Sequence, residues 1–256
     1  MAELGLYEAM STTRAVRRLR PDPIPDDVLR RVIQAACWAP TGGNRQPWRV
    51  IAVRDPGKKK RLRDLYFPRW DAYEAAARAN VARMPEALRA PETRMIDAAR
   101  HLAENLDRAP VILVFCFNPQ GMAITDAKLG RPSVVGGGSV YPSVQNALLA
   151  CRAEGLGCVL TTLLCQDEPE VKSLLGIPEG WGTCAFVPIG YPASKGHGKL
   201  SRRPPEKVAY LDAWEKPLFA LFDAIAADDS AALLGVCHSF GVMCRWSGVA
   251  TPRLRG

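Results

Sequence analysis

The sequence predicts an α+β fold, in which helices and a sheet form separate layers. Residues 26–36 carry apolar side chains at helical spacing, and residues 111–117 form an unbroken apolar run typical of a buried strand. The whole chain contains about four such strand patterns and about six helical ones, without the strict strand–helix alternation of a parallel α/β domain.

The remaining elements follow from apolar patterns and turn residues. Strands are predicted at residues 48–53, 158–162 and 184–189, and helices at residues 3–11, within 58–108, after the glycines at 136–138 and at 168–175. Asp55-Pro56-Gly57 predicts a turn, and Pro68, Pro85 and Pro91 are expected to break the helices around them.

No linker or internal repeat precedes residue 214, so residues 1–214 are predicted to form one domain. Residues 215–256 are treated as a tail of uncertain structure. Its one helical pattern covers residues 218–227, and no clear period follows from Cys237 onward.

The composition narrows the class of protein. The net charge is +8, with 48% hydrophobic and 23% charged residues, which is ordinary for a globular domain. No run approaches the roughly 18 apolar residues of a membrane span, and the N-terminus lacks a secretory signal pattern, so we expect a cytoplasmic protein without a membrane partner. The basic charge suits anionic cofactors, and no nucleic-acid-binding signature accompanies it.

The eight cysteines predict structural thiols rather than disulfides or a metal site. Six of them lie in apolar runs, where a thiol behaves as a small hydrophobe: Cys37, Cys116, Cys151, Cys158, Cys165 and Cys184. No C-x-x-C pair and no zinc-type Cys/His spacing occurs, so no metal is expected.

Three separated segments carry a resemblance to a known family. They are Arg14-Ala15-Val16-Arg17-Arg18-Leu19, the stretch Ala39-Pro40-Thr41-Gly42-Gly43-Asn44-Arg45-Gln46-Pro47-Trp48, and a third that runs from Gly137-Gly138-Ser139 through Gln145-Asn146 and Gly155-Leu156-Gly157 to Leu160-Thr161-Thr162. Together they resemble the FMN-dependent nitroreductase family over roughly residues 7–214. Ala15 and Leu19 depart from the family pattern, where a serine and an aromatic residue are usual.

The resemblance implies a three-layer α-β-α fold with a mostly antiparallel central sheet, in an intertwined homodimer. It also implies an FMN oxidoreductase that takes electrons from NAD(P)H and passes them to a nitroaromatic, quinone or similar acceptor. One site would serve both substrates in turn by a ping-pong mechanism. Since the flavin carries the chemistry, no catalytic side chain is expected.

The same resemblance assigns cofactor-binding residues. Arg14 and Arg202, helped by Lys199 or Arg203, are expected to bind the phosphate, because guanidinium forks pair with phosphate oxygens. Arg17 is expected to stabilise negative charge at N1 and the C2 carbonyl of the reduced flavin. The full predicted set is Arg14, Arg17, Arg18, Pro40, Thr41, Asn44, Gln46, Ser139, Leu160, Thr161, Thr162, Lys199 and Arg202.

The residues alone leave simpler interpretations open. The arginines at 14, 17 and 18 could form a solvated basic turn, residues 40–44 could simply end a helix, and residues 160–162 could simply leave a strand. Ser139 could cap a helix. The run Lys58-Lys59-Lys60-Arg61 could hold the 2′-phosphate of NADPH or begin a solvated helix. Residues 66–100 could cover the flavin and shape the acceptor pocket, or they could be surface helices that pack on the dimer. His101, His197 and His238 are interpreted as surface or packing residues.

Two other functions remain open. The first is an enzyme of the same fold with other flavin chemistry, such as reductive dehalogenation or flavin breakdown. The second is a protein without turnover that binds flavin or nucleic acid, which only the positive charge suggests.

Overall fold

The computed structural model describes residues 4–219. The chain divides into two compact units, Met1–Leu200 and Ser201–Gly256. Nearly all of the helix predicted at residues 218–227, and the whole tail from Cys237, lie outside the described residues. The domain boundary predicted at residue 214 stays a prediction.

A four-stranded antiparallel sheet forms the centre of the first unit. Its strands are β1 (Trp48–Val53), β2 (Val111–Phe117), β3 (Gly157–Cys158) and β4 (Gly182–Gly190), in the order β1-β2-β4-β3. The strand β2 lies between β1 and β4, and its side chains are buried on both faces. This double burial explains why its sequence is continuously apolar rather than alternating.

Helices cover both faces of this sheet. They are α1 (Leu6–Thr12), α2 (Asp26–Cys37), α3 (Pro56–Ala82), α4 (Glu86–Glu104), α5 (Tyr141–Ala153) and α6 (Glu168–Leu175). Helices α2 and α5 pack on the face that contains Leu113, and α3, α4 and α6 pack on the face that contains Val114. The predicted three-layer α+β fold is thereby confirmed.

The turn predicted at residues 55–57 is wrong, because these residues begin a helix. The carboxylate of Asp55 accepts a hydrogen bond from the Lys58 N–H at 2.7 Å and caps α3. Pro56 occupies the first helical position, where its missing N–H costs nothing. Aspartate, proline and glycine occur both in turns and at helix starts, so only the helix that follows distinguishes a helix start from a turn.

Two of the three predicted helix breaks are also wrong. The helix α3 continues through Pro68, and α4 continues through Pro91; only Pro85 stands at a helix start. An internal proline costs about 3 kcal/mol. Burial of Tyr66 and Trp70 on either side of Pro68 offsets that cost, because both side chains belong to the core.

The strand predicted at residues 158–162 is shorter than expected. Regular pairing with β4 ends at Cys158, and the chain rejoins β4 only at Thr161, which exchanges two backbone hydrogen bonds of 2.9 Å with Phe186. The irregular backbone at residues 159–162 leaves backbone N–H groups without a partner in the part of the chain that the structure describes.

The N-terminal basic segment joins the sheet beside β3. The Val16 N–H donates to the Cys158 carbonyl at 2.8 Å, in a parallel bridge between Ala15 and Cys158. Val16 packs directly over Gly157, where a Cβ atom would lie 2.6 Å from Val16 Cγ1. Residue 157 must therefore be glycine for the segment to approach the sheet this closely.

A buried carboxylate ties α3 to α4. Glu74 is 4% exposed and accepts hydrogen bonds from the Trp70 indole N–H at 3.1 Å, Arg78 Nε at 2.7 Å and Arg100 Nη1 at 2.6 Å. Burial raises the pKa of the Glu74 carboxyl, but the bonds from Arg78 and Arg100 outweigh it and leave the pKa below its usual value.

Replacing Gly157 with alanine should lower the free energy of unfolding by about 2 kcal/mol, because the new methyl overpacks against Val16. Urea denaturation followed by circular dichroism measures the change. Gly130→Ala is the matched control, since a Cβ there meets nothing within 4 Å. Equal stability of the two variants would contradict the close approach of the basic segment to the sheet.

Replacing Glu74 with glutamine should lower the free energy of unfolding by about 3 kcal/mol near neutral pH, because two guanidinium groups lose their buried counter-charge. The folded-state pKa is depressed, so the carboxylate contributes stability above the unfolded-state pKa. That contribution disappears as the pH falls through the folded-state pKa of Glu74. The free energies of unfolding of wild type and Glu74→Gln should therefore become equal in acid.

The control for Glu74 is Asp71→Asn, whose carboxylate is mostly exposed and lies 3.6 Å from Arg100. It should change stability by less than about 1 kcal/mol. A Glu74→Gln protein as stable as this control would show that the α3–α4 link does not depend on the buried charge.

Candidate functional site

The loop at residues 196–200 pairs with the N-terminal segment. The Gly198 N–H donates to the Thr12 carbonyl at 3.0 Å, and the Leu200 N–H donates to the Ser11 carbonyl at 3.2 Å. The Arg14 side chain passes Gly198, where a Cβ would lie 3.8 Å from its Nη1. Lys199 and Arg14, both predicted phosphate ligands, thus belong to neighbouring backbone segments.

Arg17 lies three residues further along the same extended segment. At the rise of a β-strand, its Cα atom is about 10 Å from the Cα atom of Arg14. Its guanidinium is half-buried, and burial lowers its pKa, an effect that the Tyr66 hydroxyl partly offsets. The Tyr66 hydroxyl lies 3.2 Å from Thr161 Oγ1. Arg17 therefore occupies the same corner as the irregular stretch of chain at residues 159–162.

These cations have no counter-charge. Within residues 4–219, the side chains of Arg14, Arg17 and Lys199 form no ion pair and no hydrogen bond with the protein. We call these three residues the cation cluster. A half-buried guanidinium without a carboxylate is costly, so this arrangement indicates an anionic ligand.

Backbone donors next to the cation cluster are also unpaired. In the described chain, the N–H groups of Leu160 and Thr162 have no protein acceptor, whereas the Thr161 N–H is already bonded to Phe186. The Thr161 N–H is therefore not free to bind a ligand. Its hydroxyl remains at the site, beside Tyr66.

A cavity of about 370 Å³ opens between α3 and α4 next to Arg17. Trp70, Tyr73, Met84, Met95 and Ile96 are among its mostly apolar lining residues. Its volume falls within the range of small-molecule sites. Residues 66–100 thus cover a pocket, as one of the two sequence interpretations expects.

The loop at residues 40–46 is held by its own polar side chains. Thr41 Oγ1 accepts from the Gln46 N–H at 3.0 Å, and Gln46 Nε2 donates to Asn44 Oδ1 at 3.1 Å. Asn44 and Gln46 have φ angles of 51° and 48°, in the left-handed region that non-glycine residues seldom adopt. Backbone strain of this kind concentrates at functional loops, which favours a function over a plain helix end.

Ser139 anchors this loop. Its Oγ accepts the Gly42 N–H at 3.1 Å. The alternative that Ser139 caps a helix is wrong, because α5 begins at Tyr141 and its N-cap, Val140, makes no side-chain capping bond. We call Thr41, Asn44, Gln46 and Ser139 the loop cluster.

The two clusters lie at opposite ends of the sheet. The loop cluster directly precedes Trp48, the first residue of β1. Trp48 pairs with Phe117 of β2, which pairs with Gly182 of β4, so these three residues mark one end of the sheet. The cation cluster borders Gly157, which pairs with Gly190 at the other end. At about 3.4 Å per residue, the nine residues of β4 separate these ends by about 27 Å. The predicted residues therefore fall into two groups, one before Trp48 and one beside Gly157, near opposite ends of the sheet.

Three predicted residues lie apart from both clusters. Arg18 is exposed, and its positive charge lowers the pKa of His101, after the larger effect of burial. Pro40 is exposed before the loop. Arg202 belongs to the second unit, where its Nη1 donates to the Ser201 carbonyl at 2.8 Å, and its role as a phosphate ligand stays a prediction.

The basic run at residues 58–61 begins α3, which favours the helix-start interpretation over a nucleotide phosphate site. Lys59 Nζ donates to the Ala109 carbonyl at 2.7 Å, and Lys60 Nζ lies 2.9 Å from Asp64 Oδ2. Two of its lysines are thus engaged within the protein.

The sequence analysis missed two residues of the site. Tyr66 contacts Thr161 from α3, and no motif marks it. His197 bonds to Arg14 and Leu156, although it was interpreted as a surface or packing residue; only its position two residues before Lys199 could have drawn attention to it.

The six cysteines within residues 4–219 are free thiols. Burial raises the pKa of Cys116 to about 11 and of Cys184 to about 12, which leaves both thiols protonated and unreactive. Residues 4–219 hold no cluster of side chains suited to a metal ion, and none of their helices is long and apolar enough to cross a membrane.

Comparison with known proteins agrees with this architecture. The NADH dehydrogenase of Thermus thermophilus is 34% identical over 199 residues, which cover 76% of this chain and 90% of that protein. The 5,6-dimethylbenzimidazole synthase of Rhodospirillum rubrum is 32% identical over 191 residues, covering 73% and 82%. Rat iodotyrosine deiodinase 1 is 26% identical and covers 75% and 64%.

Solved structures share the fold. Iodotyrosine deiodinase bound to FMN and 3-iodo-L-tyrosine superposes with a TM-score of 0.57 at 24% identity, covering 82% of this chain and 99% of that one. An FMN-bound nitroreductase from Desulfitobacterium hafniense gives a TM-score of 0.57 at 18% identity, covering 80% and 97%. The model of the nitroreductase family matches residues 10–191. The chain therefore belongs to the nitroreductase family.

Proposed function

We propose that this protein is an FMN-dependent oxidoreductase that takes electrons from NAD(P)H and reduces a small electron-poor acceptor. The observation that carries the proposal is the cation cluster, three positive side chains without a counter-charge beside the unpaired N–H groups of Leu160 and Thr162. This donor set suits a ligand with a dianionic phosphate at one end and hydrogen-bond acceptors at the other.

FMN fits these residues. Arg14 and Lys199 would bind its phosphate, and Arg202 is proposed as a further ligand. Arg17, about 10 Å along the extended segment, would meet the electron-rich edge of the ring, with Leu160 and Thr162 donating N–H bonds. When bound, FMN supplies the capacity to accept and release two electrons. Ala15 has no hydroxyl for the phosphate, so the cations carry that contact.

Arg17 has an electrostatic task in this proposal. Its half-burial removes much of the water that would screen its charge, so its field at the ring edge is strong. A fixed cation there stabilises negative charge as it develops and favours the reduced cofactor. No acid, base or nucleophile from the protein is required.

A homodimer completes the site. The loop cluster lies at the opposite end of β4 from Gly157, which the cation cluster borders, yet its strained backbone indicates a function. In a two-fold symmetric dimer the loop of one chain can reach the cation cluster of the other. We therefore propose that each flavin is bound between two subunits.

The cavity between α3 and α4 is the proposed acceptor pocket. Its apolar walls and the aromatic ring of Trp70 suit a flat molecule such as a nitroaromatic or a quinone. The engaged lysines at residues 59 and 60 give no preference for NADPH over NADH. The six free cysteines within residues 4–219 favour a reducing compartment, and we propose the cytoplasm.

The alternative is other flavin chemistry on the same fold. It is favoured by relatives named iodotyrosine deiodinase and 5,6-dimethylbenzimidazole synthase, at 26% and 32% identity. Either activity would use the same cation cluster, so the choice depends on the acceptor pocket.

The proposal is tested by the visible spectrum of the purified protein under anaerobic conditions, before and after NADH or NADPH. We expect a yellow protein that bleaches on addition of one of them and regains its colour with a nitroaromatic or quinone. Recovery with a halogenated phenol alone would favour the alternative. A protein that takes up no FMN, or that stays yellow with both nicotinamides, would refute the proposal.

Arg17→Ala should slow flavin reduction by at least about tenfold at saturating FMN, because the developing negative charge loses its cation. Anaerobic stopped-flow absorbance measures the rate. Arg20→Ala is the control, since Arg20 is exposed and paired with Asp22 at 3.0 Å. Wild-type kinetics in Arg17→Ala would remove this role.

The shared site predicts recovery of FMN binding in mixed dimers. Arg14→Ala disables the cation cluster, and Asn44→Gly removes the loop side chain while tolerating its positive φ. When the two variants are co-expressed, heterodimers contain one intact site, so about a quarter of all sites should bind FMN normally. If the co-expressed mixture binds FMN no better than the average of the two separate variants, both clusters contribute to a site within one chain.

A further inference from the structure

His197 connects three segments of the first unit. Its Nδ1 accepts the Arg14 backbone N–H at 3.2 Å, and its Nε2 lies 2.8 Å from the Leu156 carbonyl oxygen. Arg14 belongs to the basic N-terminal segment, Leu156 immediately precedes β3, and His197 stands on the same loop as Lys199. The imidazole thus bridges the two backbone segments of the cation cluster to the sheet.

These partners determine the protonation state of the ring. A backbone N–H can only donate and a carbonyl can only accept, so Nδ1 must carry a lone pair and Nε2 must carry the proton. Only the neutral imidazole with its proton on Nε2 satisfies both bonds. A cationic ring would turn a second donor toward the Arg14 N–H and break that bond.

The charges around His197 also oppose its protonation. Arg152 of α5, Arg14 of the N-terminal segment and Lys199 of its own loop are positive, and Arg152 itself lies 3.8 Å from Glu8 of α1. Burial lowers the pKa of the His197 imidazole, the bond to Leu156 raises it in part, and Arg152 lowers it further. His197 is therefore neutral at physiological pH.

We propose that neutral His197 is a positioning residue that fixes the Arg14 and Lys199 backbones at the spacing required by the FMN phosphate, and that its protonation releases the cofactor. The inference rests on the proposed FMN function. The neutral ring bonds the Arg14 backbone directly and anchors its own loop, which carries Lys199 two residues further on, to the Leu156 carbonyl. Protonation removes the Arg14 acceptor and adds a fourth positive charge.

The sign of the pH effect follows from this linkage. The folded-state pKa is below the ordinary value of about 6.5, so the neutral form holds the site until pH falls through that lower value. The FMN phosphate itself gains a proton near pH 6, by analogy with other phosphate esters, which weakens binding in every variant. The effect of His197 is the loss of FMN affinity at low pH that exceeds the loss caused by protonation of the phosphate.

The experiment measures FMN released from diluted holoprotein by flavin fluorescence, from about pH 8 to about pH 5. His197→Ala should bind FMN about tenfold more weakly than wild type at neutral pH, because the Arg14 N–H loses its acceptor. His197→Asn keeps an acceptor near the Nδ1 position and cannot titrate there, so it should stay within about threefold of wild type and show only the loss due to the phosphate. His101→Asn is the matched control, because His101 also has a pKa lowered by burial but lies on α4.

Riboflavin, exchanged into the same proteins, separates positioning from general destabilisation. It lacks the phosphate, so its affinity should not change in His197→Ala. The titration of the His197 imidazole in wild-type holoprotein, followed by nuclear magnetic resonance, should share its midpoint with the additional FMN release, and this test needs no variant.

Three results would overturn the inference: superimposable pH curves for wild type and His197→Asn, equal weakening of FMN and riboflavin, or a His197 titration that does not coincide with release. A wild-type protein that takes up no FMN at any pH would refute the proposed function instead, so the two failures are distinguishable.

Discussion

The half-buried guanidinium of Arg17, which has no carboxylate within the described residues, is the constraint on which the rest of the structure depends. Desolvation of an unpaired charge costs free energy that the fold recovers only when an anion or an electron-rich group arrives. Val16, the residue before Arg17, packs directly over Gly157 of the sheet. The proposed cofactor site is thereby attached to the sheet through one short segment.

The layered fold gives each part of the site a different support. The loop at residues 196–200 and the start of β3 form backbone bonds with residues on both sides of Arg14, whereas Arg14 itself is bonded by the side chain of His197. Glu74 ties α3 to α4 and orients Trp70 toward the cavity beside Arg17. The proposed acceptor pocket can therefore vary with α3 and α4 while the cation cluster stays fixed, which agrees with the different reactions named among the relatives.

The sequence predicted the layers well and the irregular parts poorly, for physical reasons. The strand β1 and the helix α6 have the predicted bounds, because apolar periodicity reports burial directly. Pro68 and Pro91 misled the helix prediction, since long-range packing outweighed a local cost. The family motifs predicted roles for Arg14, Arg17 and the loop at residues 40–46, but the proposed role of His197 depends on a contact across 183 residues that no local pattern encodes.

The most direct test of the account is a crystal structure of the protein loaded with FMN. The account predicts the phosphate within hydrogen-bond distance of Arg14 and Lys199, the pyrimidine edge of the ring at Arg17, and the Asn44 loop of a second subunit against the same flavin. A flavin bound elsewhere, or one whose contacts with both clusters come from a single chain, would contradict it.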